Sequence, residues 1–302
     1  MNDHESAVTG LDAEFQALRP RLLGVAYGLL GSLDEAEDVV QDAWLRLRTA
    51  KAAGGDEIRD ATGWLVVTVS RLALDVLRSA RHRREEYVGP WLPEPVLMGP
   101  DPAERVTLDE SMSMAMLVVL ESLSPAERTA FVLHDVFGLT FAEVGAAVGR
   151  SPAACRQLAA RARAHVESRA PRFDVDPAEH RRVVRAFARA CLGDDLDALL
   201  ALLDPDVVLR SDGGGRVRAA RRPVLGAAKV ARLLFGIRRF GSHELVPVTV
   251  NGWPGLLRYR DGRLVAVMGL SIARGRITAV DMVANPEKLA RVTRADETRN
   301  RR

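Results

Sequence analysis

Two small all-α domains followed by an α+β domain is the architecture the sequence predicts, and three observations predict it. Apolar residues recur at three- and four-residue steps through most of residues 15–166, the period of helices with one buried face. Five prolines between Pro90 and Pro102, with Gly89 and Gly99, interrupt that pattern and mark a boundary. Beyond residue 244 the runs become strand-like and are punctuated by two-residue turns. At 302 residues the chain is long enough for two or three modules, each with its own core.

The first helix carries Phe15, Leu18, Leu22, Ala26 and Leu30 on one face and stops at Gly31. Ser32 with Glu35 reads as a capping box opening a second helix, with Val39, Val40, Ala43, Trp44 and Leu47 on its apolar side. Asp38 and Asp42 stack one turn apart on that helix, beyond what a helix dipole needs; the alternative is a solvated face. A third helix, from Thr62 to about Ala80, is expected to bury Trp64, Leu65, Leu72, Val76 and Leu77 and to end in Arg78, Arg81, His82, Arg83 and Arg84. Within the proline-rich linker, Trp91-Leu92-Pro93-Glu94-Pro95 is unlike a flexible tether and is expected to dock.

After a Met- and Leu-rich helix (Met112, Met116, Val119, Leu120), three helix starts follow closely: Ser124-Pro125-Ala126-Glu127, Thr140-Phe141-Ala142-Glu143 and Ser151-Pro152. Gly138 and Gly149 supply the stops. Past Pro171 come helices over residues 178–191 and 196–203. Strands follow at 245–250, 256–259, 264–272 and 277–283, with hairpin turns at Asp261-Gly262 and Arg274-Gly275. Helices ahead of an antiparallel meander give an α+β domain.

Charge is segregated. Residues 1–60 hold twelve acids against six bases, whereas residues 150–172 hold six Arg against Glu167, within a net charge of +3. Cys155 and Cys191 make neither a disulfide framework nor a metal cluster, so buried or semi-buried thiols, a reducing cytoplasm and no metal or cofactor are expected. No basic region with an apolar run and cleavage site opens the chain, and no stretch reaches 18 apolar residues, so neither export nor a membrane partner is expected.

The strongest constellation is Thr140 to Val166. A short helix, a tight turn at Gly149 and a second helix make a helix-turn-helix, whose second helix enters the major groove. Leu158, Ala162 and Val166 would face the core. Ser151, Arg156, Gln157, Arg161 and Arg163 would then meet DNA, with Arg reaching guanine, Gln adenine, and the remaining Arg neutralising phosphate. A helical hairpin that does not touch DNA is the alternative.

On these motifs, residues 11–170 resemble the extracytoplasmic-function class of sigma-70 factors, which keep only regions two and four. The run Asp34-Glu35-Ala36-Glu37-Asp38-Val39-Val40-Gln41-Asp42-Ala43-Trp44-Leu45-Arg46-Leu47 is similar to the surface that binds the clamp of the polymerase largest subunit, so Asp38, Gln41, Asp42 and Arg46 acquire a partner. The resemblance implies that Trp64, Arg71, Arg78, Arg81, Arg83 and Arg84 open and read the minus-ten element. It implies that residues 123–166 sit on the polymerase flap and read the minus-thirty-five element. Cys155 and Ala160 depart from the larger contacting side chains common there. The implied domains are region two at 11–86, linker at 87–104, region four at 105–171, a C-terminal domain at 176–290 and a tail at 291–302.

That last domain resembles the SnoaL and ketosteroid-isomerase cone fold found on one branch of these factors. The match rests on Trp91-Leu92-Pro93-Glu94-Pro95, Asp212-Gly213-Gly214-Gly215-Arg216 and Asn285-Pro286-Glu287-Lys288-Leu289. The resemblance implies a regulatory domain that contacts the linker through Trp91, Leu92, Pro93, Asp212, Gly213, Gly214, Gly215, Arg216, Asn285 and Pro286. Cone folds often hold an apolar pocket, which leaves room for a small-molecule ligand. It also leaves a rival reading, a helix-turn-helix regulator with a ligand-binding or enzymatic domain whose acid–base candidates are His180, Asp212, His243 and Asp281. Nothing in the sequence brings those four within proton-transfer distance of one another, and a non-enzymatic regulator is expected.

Overall fold

The computed structural model describes residues 2–53, 58, 60–97, 112–169, 176–193, 195–238 and 241–300, without the side chains of 2–10, 80–85, 238 and 294–300. The chain forms two units, one of residues 1–82, 99–112 and 120–168 and the other of 83–98, 113–119 and 169–302.

The first unit is all helical. α1 (Asn2–Leu30) carries Pro20 inside it and ends at Gly31, whose φ of 70° only glycine adopts without strain. Ser32 caps α2 (Leu33–Ala52) by accepting the Glu35 N–H at 3.4 Å. Tyr27, Leu29 and Leu30 of α1 are buried, as are Val39, Val40, Ala43 and Leu47 of α2. Phe15 and Trp44 stack at 4.3 Å. α3 (Ala61–Glu85) is capped by Asp60, which accepts from Gly63 N–H at 2.9 Å. Its buried stripe is Leu65, Val66, Val69, Ala73, Leu74 and Leu77, so Trp64, Leu72 and Val76 are only half-buried, a rotation of the expected face by part of a turn.

α5 (Pro125–Phe131) opens with the full capping box of Ser124 and Glu127 and runs on through one π-helical turn, Val132–Val136. α6 (Phe141–Val148) opens with the box of Thr140 and Glu143, and those hydrogen bonds hold the Glu143 carboxyl below its usual range. It stops at Gly149, φ 71°. α7 (Pro152–Arg169) begins one residue after Ser151, whose hydroxyl accepts from Ala154 N–H at 3.3 Å. Arg128, 1% exposed, donates to the Gly28 carbonyl of α1 at 3.3 and 3.4 Å and pairs with Glu121.

The second unit is α+β. α8 (Pro177–Leu192) and α9 (Leu196–Leu202) lead into β1 (Leu203–Asp212), followed by β2 (Val224–Leu225) and α10 (Ala227–Arg238). The meander β3 (His243–Val250), β4 (Trp253–Arg260), β5 (Arg263–Ala273) and β6 (Arg276–Val283) comes next, then α11 (Pro286–Asn300). The sheet order is β2-β1-β6-β5-β4-β3. The four expected strands form the antiparallel meander, but the sheet as a whole is mixed, because β1 lies parallel to β6 in the register Leu209↔Val280 and Asp212↔Val283. The turns have both central residues in the left-handed region: Asp261 and Gly262 at φ 51° and 73°, Arg274 and Gly275 at 51° and 72°, Asn251 and Gly252 at 49° and 79°. One sheet face packs Leu209, Met268, Val280 and Met282 against Val184 and Phe187 of α8. The other packs Leu257, Val267 and Val283 against Leu92 of the linker, Met114 of α4 (Met114–Leu120) and Leu289 and Val292 of α11.

Candidate nucleic-acid interface and linker clasp

α7 buries Cys155, Leu158, Ala159, Ala162 and Val166, which turns Ser151, Arg156, Gln157, Ala160, Arg161 and Arg163 outward. Cys155 is a core thiol, as expected, and burial raises its proton affinity, whereas Ala160 is exposed. The turn is tight because a Cβ on Gly145 would lie 2.7 Å from the Arg150 carbonyl. Arg156 sits 5.2 Å above the Phe141 ring, which itself stacks on His134 at 3.9 Å. Arg163 is already engaged: its Nε donates to Asp135 Oδ1 at 2.9 Å.

On α2, Asp38, Gln41 and Arg46 are exposed and Asp42 half-exposed, in one stripe with Leu45, an apolar residue 52% exposed that sequence reasoning did not single out. Asp42 and Arg46 pair at 3.0 Å. Trp64 is half-buried and Arg78 exposed, 3.3 Å from Asp75. Arg71 donates to the Ala146 carbonyl at 2.9 Å, one of the carbonyls a helix leaves unpaired in its last turn. The side chains of Arg81, Arg83 and Arg84 lie outside the described residues.

The linker motif is buried. Leu92, Pro93, Glu94, Pro95 and Val96 are buried and Trp91 is half-buried. Their anchor is Asp212 at the end of β1, 0% exposed. Its Oδ2 accepts the Leu92 N–H at 2.9 Å and pairs with Lys288 Nζ at 2.7 Å, and its Oδ1 accepts the Tyr87 hydroxyl at 2.6 Å and the Gly214 N–H at 3.0 Å. Burial first, and then the Asp212 carboxylate, push the Tyr87 phenol well above its usual value. Lys288 also donates to the Leu92 carbonyl and sits 3.9 Å from the Trp91 ring centroid. Further along, Val96 and Asn251 exchange two hydrogen bonds: Val96 N–H to Asn251 Oδ1 at 3.1 Å, and Asn251 N–H to the Val96 carbonyl at 2.8 Å.

The glycine run is shape-determined. Gly214 has φ 61°, and a Cβ there would lie 2.5 Å from the Asn285 amide; on Gly213 it would meet Ala219 at 2.7 Å and on Gly215, Val88 at 3.3 Å. Asn285 donates to the Tyr87 oxygen at 3.0 Å and caps α11 by accepting from Glu287 N–H, with Pro286 as the first helical residue. Arg216 is exposed and pairs with Glu287 at 2.9 Å. Tyr87, Asn251 and Lys288 were missed as site residues. Lys288 had a signal, being one of three lysines in a chain of 43 basic residues; Asn251 stands before Gly252 as a hairpin dipeptide.

The four acid–base candidates are separated in role. Asp212 belongs to the clasp, and His243 lies 3.4 Å from Arg258. Asp281, raised by burial in spite of Arg210 at 2.7 Å, lines a cavity of only about 30 Å³ with His180, whose proton affinity burial lowers to about 4. That space suits a water and not an organic substrate. Among the described residues no His, Cys, Asp and Glu group could hold a metal, and no helix is long and apolar enough to cross a membrane.

The family model for sigma-70 region 2 matches residues 15–83, and that for sigma-70 region 4 matches residues 113–166. The chain is 42% identical over 293 residues to the ECF RNA polymerase sigma factor SigJ of Mycobacterium tuberculosis, covering 91% of this chain and 92% of that one. It is 39% identical over 285 residues to a probable ECF RNA polymerase sigma factor, SigI, of the same species, at 92% and 94% coverage. The crystal structure of the M. tuberculosis extracytoplasmic function sigma factor SigJ superposes with a TM-score of 0.75 at 39% identity, over 92% of this chain and 98% of that one. Both family models and the identity over nearly the whole chain agree, and the chain belongs to the extracytoplasmic-function sigma-70 family of RNA polymerase sigma factors.

Proposed function

We propose that this sigma factor joins core RNA polymerase through the α2 stripe of Asp38, Gln41, Asp42, Leu45 and Arg46, and reads promoters with α3 and α7, under control of its own C-terminal domain. The observation that carries the regulatory part is the burial of the Leu92 backbone between Asp212 and Lys288. A linker held this way has two arrangements, docked and released, and any difference in polymerase affinity between them makes the domain a switch. The domain acts as this built-in switch and not as an enzyme, a reading supported by the engagement of its acid–base candidates: Asp212 in the clasp, Asp281 with Arg210, and His243 beside Arg258. Work beside the polymerase places the protein's activity in the cytoplasm.

On α7, Arg156 and Gln157 are the base readers, because both are exposed in the first two turns, and Arg161 contacts phosphate. Arg163 contributes to DNA only by exchanging Asp135 for phosphate. On α3, Trp64 and Arg78 are assigned to the minus-ten element.

In vitro transcription with core polymerase on a promoter library tests both parts. Promoter-specific transcripts from the full chain are expected; Arg156→Ala should relax the preference at one position, and Lys288→Met should change transcript yield without changing promoter ranking. No transcripts and no binding to core polymerase would sink the proposal, and equal yields with and without Lys288 would remove the switch.

A further inference from the structure

The clasp and the DNA face leave one large cavity of the C-terminal unit unexplained. It measures about 1040 Å³, enough for an organic molecule of drug size. Its walls are apolar, with Leu233 and Ile237 of α10, Leu264 of β5 and Met282 of β6. Arg218, Arg232, Arg258 and Arg260 also line it, and no Asp or Glu is among its described lining residues.

Two polar groups in this wall lack what burial normally demands. Ser211 is 2% exposed and its hydroxyl has no hydrogen-bond partner among the described residues. A buried hydroxyl is ordinarily paired, so its position on a ligand-sized cavity points to a ligand group. Arg258 is half-buried, and among the described residues no carboxylate pairs with it. Its neighbour is His243, whose Nε2 lies 3.1 Å from the Ile237 carbonyl and whose Nδ1 lies 3.4 Å from both Arg258 and the Tyr259 carbonyl. Burial and then the charge of Arg260 pull the Arg258 guanidinium below its usual proton affinity, the mark of a cation short of an anion.

The register separates the two groups. Ser211 pairs with Met282, Met282 with Met268, and Ala266, two residues from Met268, with Arg258. Three strand spacings of ~4.8 Å therefore lie between Ser211 and Arg258, and one head group cannot satisfy both. We infer that this cavity binds an amphipathic acid, its carboxylate on Arg258, its apolar body against Leu233, Ile237 and Met282, and a hydroxyl or carbonyl at its far end on Ser211. Ser211 precedes Asp212, and Pro286 and Leu289, which also line the cavity, flank the Asn285 and Lys288 of the clasp. Occupancy thereby meets the strand end and helix start that hold the linker, a coupling that rests on the regulatory reading above, whereas binding itself does not.

The test is calorimetric titration of the full-length protein with 10-hydroxydecanoate, decanoate and decane-1,10-diol. Expected are saturable one-to-one binding of 10-hydroxydecanoate, a loss of about tenfold or more in Arg258→Gln with the diol unaffected, and partial retention in Arg258→Lys. Ser211→Ala should weaken 10-hydroxydecanoate but leave decanoate unchanged. Equal affinity for acid and diol, an unchanged affinity in Arg258→Gln, or no binding of either acid would overturn the inference. Circular dichroism of each variant separates a lost site from a lost fold. A negative titration leaves the transcription comparison for Lys288→Met standing, and a failed switch leaves the titration standing.

Discussion

Lys288 reaches across from the first turn of α11 to Asp212 at the end of β1, 2.7 Å away, and the two close over the backbone of Leu92. The carboxylate is fully buried and the lysine side chain 13% exposed. Breaking a buried pair by removing one partner costs about 3–5 kcal/mol, because the remaining charge stays desolvated. Lys288→Met should therefore release the linker around Leu92. Hydrogen exchange of the full-length protein checks this: the Leu92 amide should exchange much faster, the Val96 amide less so, since it is held separately by Asn251. Unchanged protection at Leu92 would mean that the hydrophobic seat of its side chain suffices.

Gly214 and Gly262 share a left-handed backbone but differ in surroundings. A Cβ on Gly262 meets nothing within 4 Å, so Gly262→Ala should cost only the left-handed penalty of about 1 kcal/mol. At Gly214 the same methyl lies 2.5 Å from the Asn285 amide, which is fixed by Tyr87 and Glu287. Gly214→Ala should cost at least twice as much and loosen the clasp, read from urea midpoints of the two variants side by side.

His180 makes the C-terminal unit acid-sensitive. An unfolded histidine titrates near 6.5; buried beside Trp253 it titrates at about 4. Between those values the unfolded chain takes up a proton that the folded chain refuses, so stability is full above ~6.5 and falls as the pH drops to ~4, by about 3 kcal/mol. Asp281, which lines the same cavity, has a raised proton affinity and acts in the opposite direction. Denaturant titrations at pH 7 and 4.5 of wild type and His180→Phe subtract that contribution; the variant should lose less stability on acidification.

Two arginines of the helical unit should behave oppositely. Arg128 is buried, tying α5 to the Gly28 carbonyl and to Glu121, and Arg128→Met should cost about 3–5 kcal/mol through loss of this buried pair. Arg163→Ala removes a pair whose arginine is 46% exposed, and should cost no more than about 1 kcal/mol. Thermal midpoints of the two variants give the comparison.

The sequence by itself determined what is written in local chemistry. Capping boxes at Ser124 and Thr140, the stop at Gly149, the hairpins at Asp261-Gly262 and Arg274-Gly275 and the outward face of α7 each follow from residues within one turn of each other. The linker motif was legible as a docking segment because Trp91 and Leu92 are too apolar for a tether. What required the tertiary structure was long-range pairing. β1, with its charged residues at 204, 206, 210 and 212, gives no clean alternation, and only its parallel register against β6 brings Asp212 beside Asn285 and Lys288. Arg71 and Arg163 read as free cations until folding presents them with the Ala146 carbonyl and the Asp135 carboxylate. A side chain's partner 28 to 76 residues away is set by the packing of whole elements, and no local period encodes it.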